Sequence, residues 1–245
     1  MIETAVFIFL GFAAQLIDGA LGMAYGVFLT TALSFWGVPV SHASAAVHFS
    51  EMFTTLASGI SHFKMKNVDW GLLKKLAPAG AAGGIIGAAF LSVAKTETVK
   101  PFVCLYLLIL GIWIVRKSFA RIKTKKNVRH IAPLGFVGGF LDAMGGGGWG
   151  PIVTGTLIAR GNNPRQTIGT TNLSEFFVTA TQSAIFFVSI GLGYWKIVGG
   201  LVVGGCLAAP LAAFVCAKIN PKILMLFVGI LIIITNAAAI GRLAF

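Results

Sequence analysis

The segment GFVGGFLDAMGGGGWGPIVTG, residues 135–155, decides the fold, because the same chain contains an earlier copy of it. The copy is GFAAQLIDGALGMAYGVFLTT, residues 11–31, and the two segments align without a gap. Each places an aspartate shortly before a glycine break, Asp18 in the first segment and Asp142 in the second. A self-match of this kind is typical of a chain built from internal repeats.

The match continues beyond the break into a second pair of segments. HFSEMFTTLASGISHF, residues 48–63, aligns with NLSEFFVTATQSAIFF, residues 172–187, and both keep a Ser-Glu pair. The chain is therefore predicted to contain two transmembrane repeats, residues 1–118 and 131–245, joined by a basic cytoplasmic linker at residues 119–130.

The composition indicates that both repeats lie in a lipid bilayer. The 245 residues are 57% hydrophobic and 11% charged, whereas about 25% of the residues of a soluble domain are charged. The first repeat contains five apolar runs, and the second repeat has a corresponding set. The runs are Thr4 to Ile17, Ala20 to Trp36, Ala43 to Phe63, Leu72 to Val93 and Val99 to Val115. Because lipid offers no hydrogen-bond partner to an open strand edge, these runs are predicted to be helices.

The net charge of +12 is concentrated in the gaps between the apolar runs. This distribution is typical of the cytoplasmic loops of membrane proteins, so no nucleic-acid partner is expected. If the first two runs of a repeat form a hairpin, the repeat crosses the membrane an odd number of times, and the two repeats are inverted. An inverted arrangement places slightly more basic residues on one side than a parallel one does.

The predicted fold is an all-α polytopic membrane protein with two inverted repeats. Each repeat is a glycine-broken helical hairpin followed by three transmembrane helices. Transporters built in this way enclose their site near the middle of the membrane, between the repeats.

Four consecutive glycines, Gly145, Gly146, Gly147 and Gly148, are poorly suited to a helix, since each costs about 1 kcal/mol relative to alanine. Irregular backbone at membrane depth is tolerated only where it is buried in protein or lines a wet cavity. Free glycine amides, together with the start of the following helix, form a concavity that suits an anion. The same glycines would also serve a tight turn or close packing, and both interpretations stay open.

Acidic residues lie beside each break and inside the third run of each repeat. Asp18 and Asp142 would repel an anion, so they are predicted to cap amides of the turn or to pair with a basic residue. Glu51 and Glu175 lie deep in their runs, where a carboxylate costs a few kcal/mol unless it is paired, protonated or in water. Both are candidates for proton coupling. The alternative is a hydrogen bond that holds the third helix against the hairpin.

The other candidate substrate-binding residues lie close to these positions. Tyr25 and Trp149 occupy matching places at the tips of the breaks, where they would gate a cavity, wall it or fill space beside glycines. His48 aligns with Asn172, so no second histidine completes a metal site, and no metal or cofactor is expected. The remaining candidates are Gly22, Ser50, Thr171 and Ser174.

The order of these features resembles the TauE/SafE family of sulfite exporters and anion permeases. The features are the glycine break after LID or FLD, the Ser-Glu pairs, Asn172 before the second pair, the exit Phe63-Lys64 from the third run, the GxxxG fourth runs and the basic linker. The resemblance covers nearly the whole chain. It implies a multi-pass transporter of the bacterial inner membrane that moves sulfite, sulfonates or related small organic anions, with its site between the two hairpins.

The sequence therefore predicts a transporter, not an enzyme, that carries a small anion by alternating access. A passive anion channel is the alternative, and an intramembrane enzyme is disfavoured because no nucleophile and base stand together. The fifth runs are apolar and would face lipid or a second copy in a homodimer. The first break carries Leu21, Met23 and Ala24 where the second has glycines, so the second repeat is predicted to be the principal anion holder.

Overall fold

The computed structural model describes residues 2–119, 130–191, 193–215 and 221–244. Within these ranges the chain is helical and contains no strand, as the apolar runs predict. The basic linker lies almost entirely outside the described residues.

The first repeat contains five helices, with the glycine break between the first two. They are α1 (Ile2–Leu21), α2 (Tyr25–Phe35), α3 (Val40–Lys64), α4 (Trp70–Val93) and α5 (Thr96–Phe119). In the break, Gly22 has φ +65° and Ala24 has φ +102°, two left-handed conformations within three residues. Such values end a helix, because they cannot continue its hydrogen-bonded turns.

The second repeat has the same order, with a short irregular element after its break. Its elements are α6 (Ile131–Gly145), a π-helical turn (Gly150–Thr154), α7 (Gly155–Ala159), α8 (Pro164–Ile190), α9 (Trp195–Val215) and α10 (Pro221–Ala244). The four glycines are divided between two elements. Gly145 ends α6, and Gly146, with φ +64°, begins the break.

Each break turns the chain back along the helix that precedes it. In the first repeat, Trp36 follows α2 and packs edge-on against Phe7 near the start of α1, with ring centroids 6.1 Å apart. In the second repeat, the side chain of Val153 lies where a Cβ on Gly138 would be. Both breaks therefore form helical hairpins, because residues far apart on either side of the tip are in contact.

Each long helix of one repeat packs against a helix of the other repeat, and equivalent helices make equivalent contacts. Helix α1 packs on α9 just as α6 packs on α4, and α3 and α5 pack on their counterparts α8 and α10. Helices α3 and α8 run antiparallel, since Ser58 contacts Asn172 whereas His48, earlier in α3, packs against Phe186, later in α8. Each hairpin is thus held mainly by the fourth helix of the other repeat.

The surface and the interior have the polarity expected of a membrane protein. Five helices in the described ranges are long and apolar enough to cross a membrane: Thr4–Leu21, Trp70–Val93, Pro101–Ser118, Pro164–Ile190 and Trp195–Phe214. Their outer faces expose side chains such as Phe102, which is 70% exposed. The buried faces of α3 and α8 instead carry serine, threonine, histidine, glutamine and glutamate side chains.

Replacing Gly204 with alanine is expected to destabilise the contact between α1 and α9. A Cβ at this position would overlap the backbone carbonyl of Ile8, and overpacking of this kind costs about 1–3 kcal/mol. Gly199 lies in the same helix with no atom within 4 Å of its Cβ position, so Gly199→Ala should be neutral or gain up to about 1 kcal/mol of helix propensity. Thermal unfolding in detergent compares the two variants, and equal stability would contradict the close packing of α1 on α9.

Candidate functional site

The tips of the two hairpins are in direct backbone contact at the centre of the protein. A Cβ on Gly26 would overlap the carbonyl oxygen of Gly146, and one on Gly147 would overlap the backbone nitrogen of Val27. The hydroxyl of Thr30 also donates a hydrogen bond to the carbonyl of Gly146, at 2.9 Å. Only glycine allows the two chains to approach so closely, so these glycines serve the contact between the tips.

Four acidic side chains surround the point where the tips meet. Asp18, Glu51, Asp142 and Glu175 are buried and line a cavity of about 10 Å³, which is room for at most one water molecule. One carboxyl oxygen of Asp18, Glu51 and Glu175 has no hydrogen-bond partner, although all three residues are almost completely buried. The hairpin tips thus bring together two pairs of equivalent acids, Asp18 with Asp142 and Glu51 with Glu175.

Asp142 caps the break of the second hairpin, as predicted. Its carboxyl oxygen Oδ1 accepts hydrogen bonds from the backbone amides of Gly148, at 2.8 Å, and Trp149, at 3.0 Å. Its backbone carbonyl accepts from the amides of Gly146 and Gly147. All four amides from Gly146 to Trp149 are therefore engaged by a single aspartate, so they are not free donors in this conformation.

The same aspartate pairs with a histidine from the other repeat. His48 Nε2 lies 3.1 Å from Asp142 Oδ2, and both side chains are buried. Gln182 Nε2 donates a further bond to Asp142 Oδ2, at 3.1 Å. Buried charges require partners of this kind. Helices α3 and α8 therefore clamp the tip of the second hairpin from two sides.

Asp18, the equivalent residue of the first hairpin, has fewer partners. Its carboxyl group accepts a hydrogen bond from the backbone amide of Tyr25, which corresponds to the bond from Trp149 to Asp142. The positions that correspond to His48 and Gln182 carry Asn172 and Ser58. These two bond each other, since the hydroxyl of Ser58 donates to Asn172 Oδ1 at 2.7 Å.

The two aromatic residues at the tips pack into the protein interior. Trp149 is fully buried, and its indole nitrogen donates to the carbonyl of Thr171 at 3.2 Å. Its ring occupies the space beside Gly80, so it fills space next to a glycine. Tyr25 is also fully buried and donates to the hydroxyl of Ser50 at 3.3 Å.

The remaining candidate residues lie around the tips with their polar groups already bonded. The hydroxyl of Ser174 donates to the carbonyl of Thr171 at 3.0 Å, and Thr171 accepts a hydrogen bond from Thr154 at 2.8 Å. Gly22 lies against Thr154, as Gly146 lies against Thr30, and a Cβ on Gly145 would meet the ring of Tyr106. These residues pack around the hairpin tips but do not line the cavity between the four acids.

Three residues near the tips escaped the sequence analysis. Thr30 bonds across the tips, Gln182 bonds Asp142, and the buried hydroxyl of Tyr106 has no hydrogen-bond partner beside Gly148. Thr30 is identical to Thr154 in the repeat alignment, which is a signal that could have found it. Gln182 and Tyr106 differ from their counterparts, so the alignment contains no such signal for them.

One group of side chains has the composition of a metal site. His48, Glu51 and Asp142 each place a potential ligand atom within 4.8 Å of the others. Both ring nitrogens of His48 are already engaged, however, Nδ1 with Ser44 and Nε2 with Asp142. A metal ion would have to replace the contact between His48 and Asp142, and the absence of a metal stays a prediction.

Comparison with known proteins gives two matches. Residues 7–239 match the sequence profile of the family described as Sulfite exporter TauE/SafE. The chain is 41% identical over 247 aligned residues to a Bacillus subtilis (strain 168) protein named as a probable membrane transporter protein, YtnM. That alignment covers 97% of this chain and 82% of the relative. No solved structure matches the chain at a significant level.

Proposed function

The chain belongs to the TauE/SafE family of membrane transporters, and from this premise we propose that it carries small sulfur-containing or organic anions, such as sulfite or sulfonates, across the bacterial inner membrane by alternating access. The observation that carries the proposal is the closed contact between two hairpin tips, surrounded by four buried acidic side chains.

The closed tips favour a carrier over a permanently open pore. The cavity between them, about 10 Å³, is too small for an anion with several non-hydrogen atoms. Substrate therefore requires the tips to separate, and the glycine contacts allow them to close again without a gap. A structure closed at its centre supports alternating access, which requires an intermediate of this kind.

The acids at the tips support proton coupling through Glu51 and Glu175. Each has a carboxyl oxygen without a partner inside a closed, water-poor cavity. An ionised carboxylate there would be costly and would repel an anion, whereas a protonated carboxyl group is neutral. Uptake of a proton thus makes the centre compatible with an anion, so proton and anion would move together.

Separation of the tips would expose hydrogen-bond donors to the anion. The hydroxyl of Thr30 would be released from the carbonyl of Gly146, and that of Tyr106 has no partner in the closed conformation. The amides of Gly147 and Gly148 are held by Asp142, so they would act on the anion only if that cap rearranged. The two hydroxyl groups are therefore the first donors available to the anion when the tips separate. The glycine amides become available only after the Asp142 cap rearranges.

An inverted arrangement of the repeats in the membrane fits the same proposal. The equivalent helices α3 and α8 run antiparallel, and both hairpins return toward their starting side. In this arrangement the basic residues near the end of α3 and the start of α8, Lys64 and Arg165, share the cytoplasmic side. The two hairpins then approach the centre from opposite faces, so either can open while the other stays closed.

Labelled sulfite and simple sulfonates in proteoliposomes test the proposal. The wild-type protein should transport at least one of them and should respond to a pH gradient, because a proton neutralises the acids at the tips. Glu51→Gln and Glu175→Gln should reduce the response to the gradient to the level of empty liposomes. Glu97→Gln, in the first turn of α5, is the control and should transport like the wild type.

Three outcomes of that assay would contradict the proposal in different ways. An unchanged gradient response in both variants would remove proton coupling through these residues. Flux that ignores the gradient and far exceeds the rate of a carrier would favour the passive channel. A substrate found chemically altered after crossing would favour an enzyme.

A further inference from the structure

The two hairpins have equivalent aspartates with unequal surroundings, and this difference deepens the proposed function. Asp18 and Asp142 occupy the same position of the repeat. Among the described residues, Asp142 has two side-chain partners, His48 and Gln182, and Asp18 has none. The hydrogen bonds around each aspartate indicate what charge it holds.

The contact between His48 and Asp142 is a hydrogen bond between an imidazole ring and a carboxylate. His48 Nδ1 lies 2.7 Å from the carbonyl oxygen of Ser44, and a carbonyl only accepts, so Nδ1 carries a hydrogen. The hydroxyl of Ser44 donates to the carbonyl of Ala143 at 2.8 Å and supplies no hydrogen to the ring. Nε2 then faces Asp142 Oδ2 at 3.1 Å, where a ring N–H donates to the carboxylate.

The orientation of Gln182 confirms that Asp142 accepts from every side. Its nitrogen Nε2 lies 3.1 Å from the carbonyl oxygen of Gly139, which fixes the amide with its nitrogen toward Asp142. Asp142 thus accepts from one side-chain amide and two backbone amides in addition to its contact with His48. Four donors around one carboxylate stabilise its charge throughout, so Asp142 is suited to be a permanent cap.

Asp18 lacks these donors. Asn172 and Ser58 replace the histidine and the glutamine and bond each other, and Asp18 Oδ2 has no partner although the residue is only 1% exposed. Asp18 lines the small cavity together with Glu51 and Glu175, each of which likewise has an unpartnered carboxyl oxygen among the described residues. An ionised Asp18 would be a buried, unpaired charge among other acids.

The ionisable groups that face Asp18 come from four helices and include no cation in the described residues that line the cavity. They are Tyr25 of α2, Glu51 of α3, Asp142 of α6 and Glu175 of α8. His62 of α3 bonds the carbonyl of Gly19, the next residue along α1, at 2.9 Å, and Cys206 of α9 lies near Tyr25. Among the described residues on this side of the tips, no basic side chain bonds Asp18 as His48 bonds Asp142.

We propose that Asp18 is a proton-binding residue of the transport cycle, acting with Glu51 and Glu175, and that Asp142 keeps its charge in all states. Asp18 holds a proton while the tips are closed and releases it when water reaches the opened first hairpin. The first hairpin is thus the proton-responsive gate, and the second hairpin is the clamped one. This inference rests on the proposed function, because it assigns the proton-binding step of transport. It does not depend on which anion the protein carries.

The stability of the purified protein in detergent tests this without any substrate. Because the closed fold holds a proton on Asp18 and the unfolded chain binds it less tightly, raising the pH from about 5 to about 8 should lower the unfolding temperature. In Asp18→Asn the carboxyl group is gone, so the fall should be clearly smaller. Equal falls in wild type and Asp18→Asn would overturn the proposal.

A second measurement on the wild type covers the case in which Asp18→Asn does not fold. Dicyclohexylcarbodiimide adds to protonated carboxyl groups in apolar surroundings, and peptide mass spectrometry locates the adduct. At low pH the opened tips admit the reagent while Asp18 is still protonated, so we expect an adduct on Asp18 that declines as the pH rises, and none on Asp142. An adduct on Asp142 without one on Asp18 would reverse the assignment. Neither readout involves transport, so a failure to carry sulfite or sulfonates would overturn only the proposed substrates.

Discussion

Gly147→Ala is expected to reduce transport on the order of 100-fold, the loss that follows when working groups are displaced by about 1 Å. The added methyl group would overlap the backbone nitrogen of Val27 at the opposite tip. A backbone atom cannot rotate away as a flexible side chain can, so the tips would be forced apart. The measurement is uptake of labelled anion into proteoliposomes, with folded protein quantified by size-exclusion chromatography.

Two further variants make the Gly147 experiment specific. Gly26→Ala adds a methyl group from the other side of the same contact, against the carbonyl of Gly146, and should cause a similar loss. Gly199→Ala adds the same group where no atom lies within 4 Å and should transport normally. A folded Gly147→Ala protein with wild-type transport would contradict the claim that the tips close during the cycle.

Asp142→Asn is expected to have the largest effect on stability. The substitution leaves His48 without its acidic partner, and breaking a buried ion pair on one side costs about 3–5 kcal/mol. It also weakens the cap on the amides of Gly148 and Trp149. In a chain of this size the unfolding temperature should fall on the order of 10 °C, as measured by thermal unfolding in detergent.

Asp18→Asn is the matched comparison, because it makes the same chemical change at the equivalent position. Within the described part of the chain Asp18 has no basic partner, and its bond from the amide of Tyr25 can be kept by the oxygen of an asparagine. At low pH the variant should therefore lose much less stability than Asp142→Asn. Equal losses would mean that the pair between His48 and Asp142 does not distinguish the two hairpins.

Much of the architecture could be predicted from the sequence because it depends on local composition. A run of apolar residues in lipid has to satisfy its own backbone, which makes it a helix. Four consecutive glycines are enough to interrupt such a helix, and the breaks at residues 22–24 and 146–149 lie inside the two segments that the repeat alignment matches. The capping role of Asp142 was also predictable, since a carboxylate a few residues from a turn can reach its amides.

The predicted availability of the glycine amides illustrates the limit of this reasoning. The sequence shows four glycines without side chains, which suggests four free amides. In the structure Asp142 engages the amides from Gly146 to Trp149 through both its carbonyl and its carboxylate. The geometry of the turn decides this, because the same aspartate could have pointed away from the break.

The sequence by itself determined a duplicated, all-helical membrane chain with an acid before each break and another in each third helix. Only the tertiary structure decided that these four acids meet, that His48 reaches Asp142 across 94 positions, and that none of the described residues pairs with Asp18 in this way. The physical reason is that a segment in lipid must satisfy its own backbone hydrogen bonds, so its local sequence decides where it is helical and where it breaks. The charge of a buried carboxylate depends instead on the hydrogen-bond donors of neighbouring helices. Helices α3 and α8 place a histidine and a glutamine beside Asp142, whereas the equivalent positions near Asp18 carry an asparagine and a serine that bond each other.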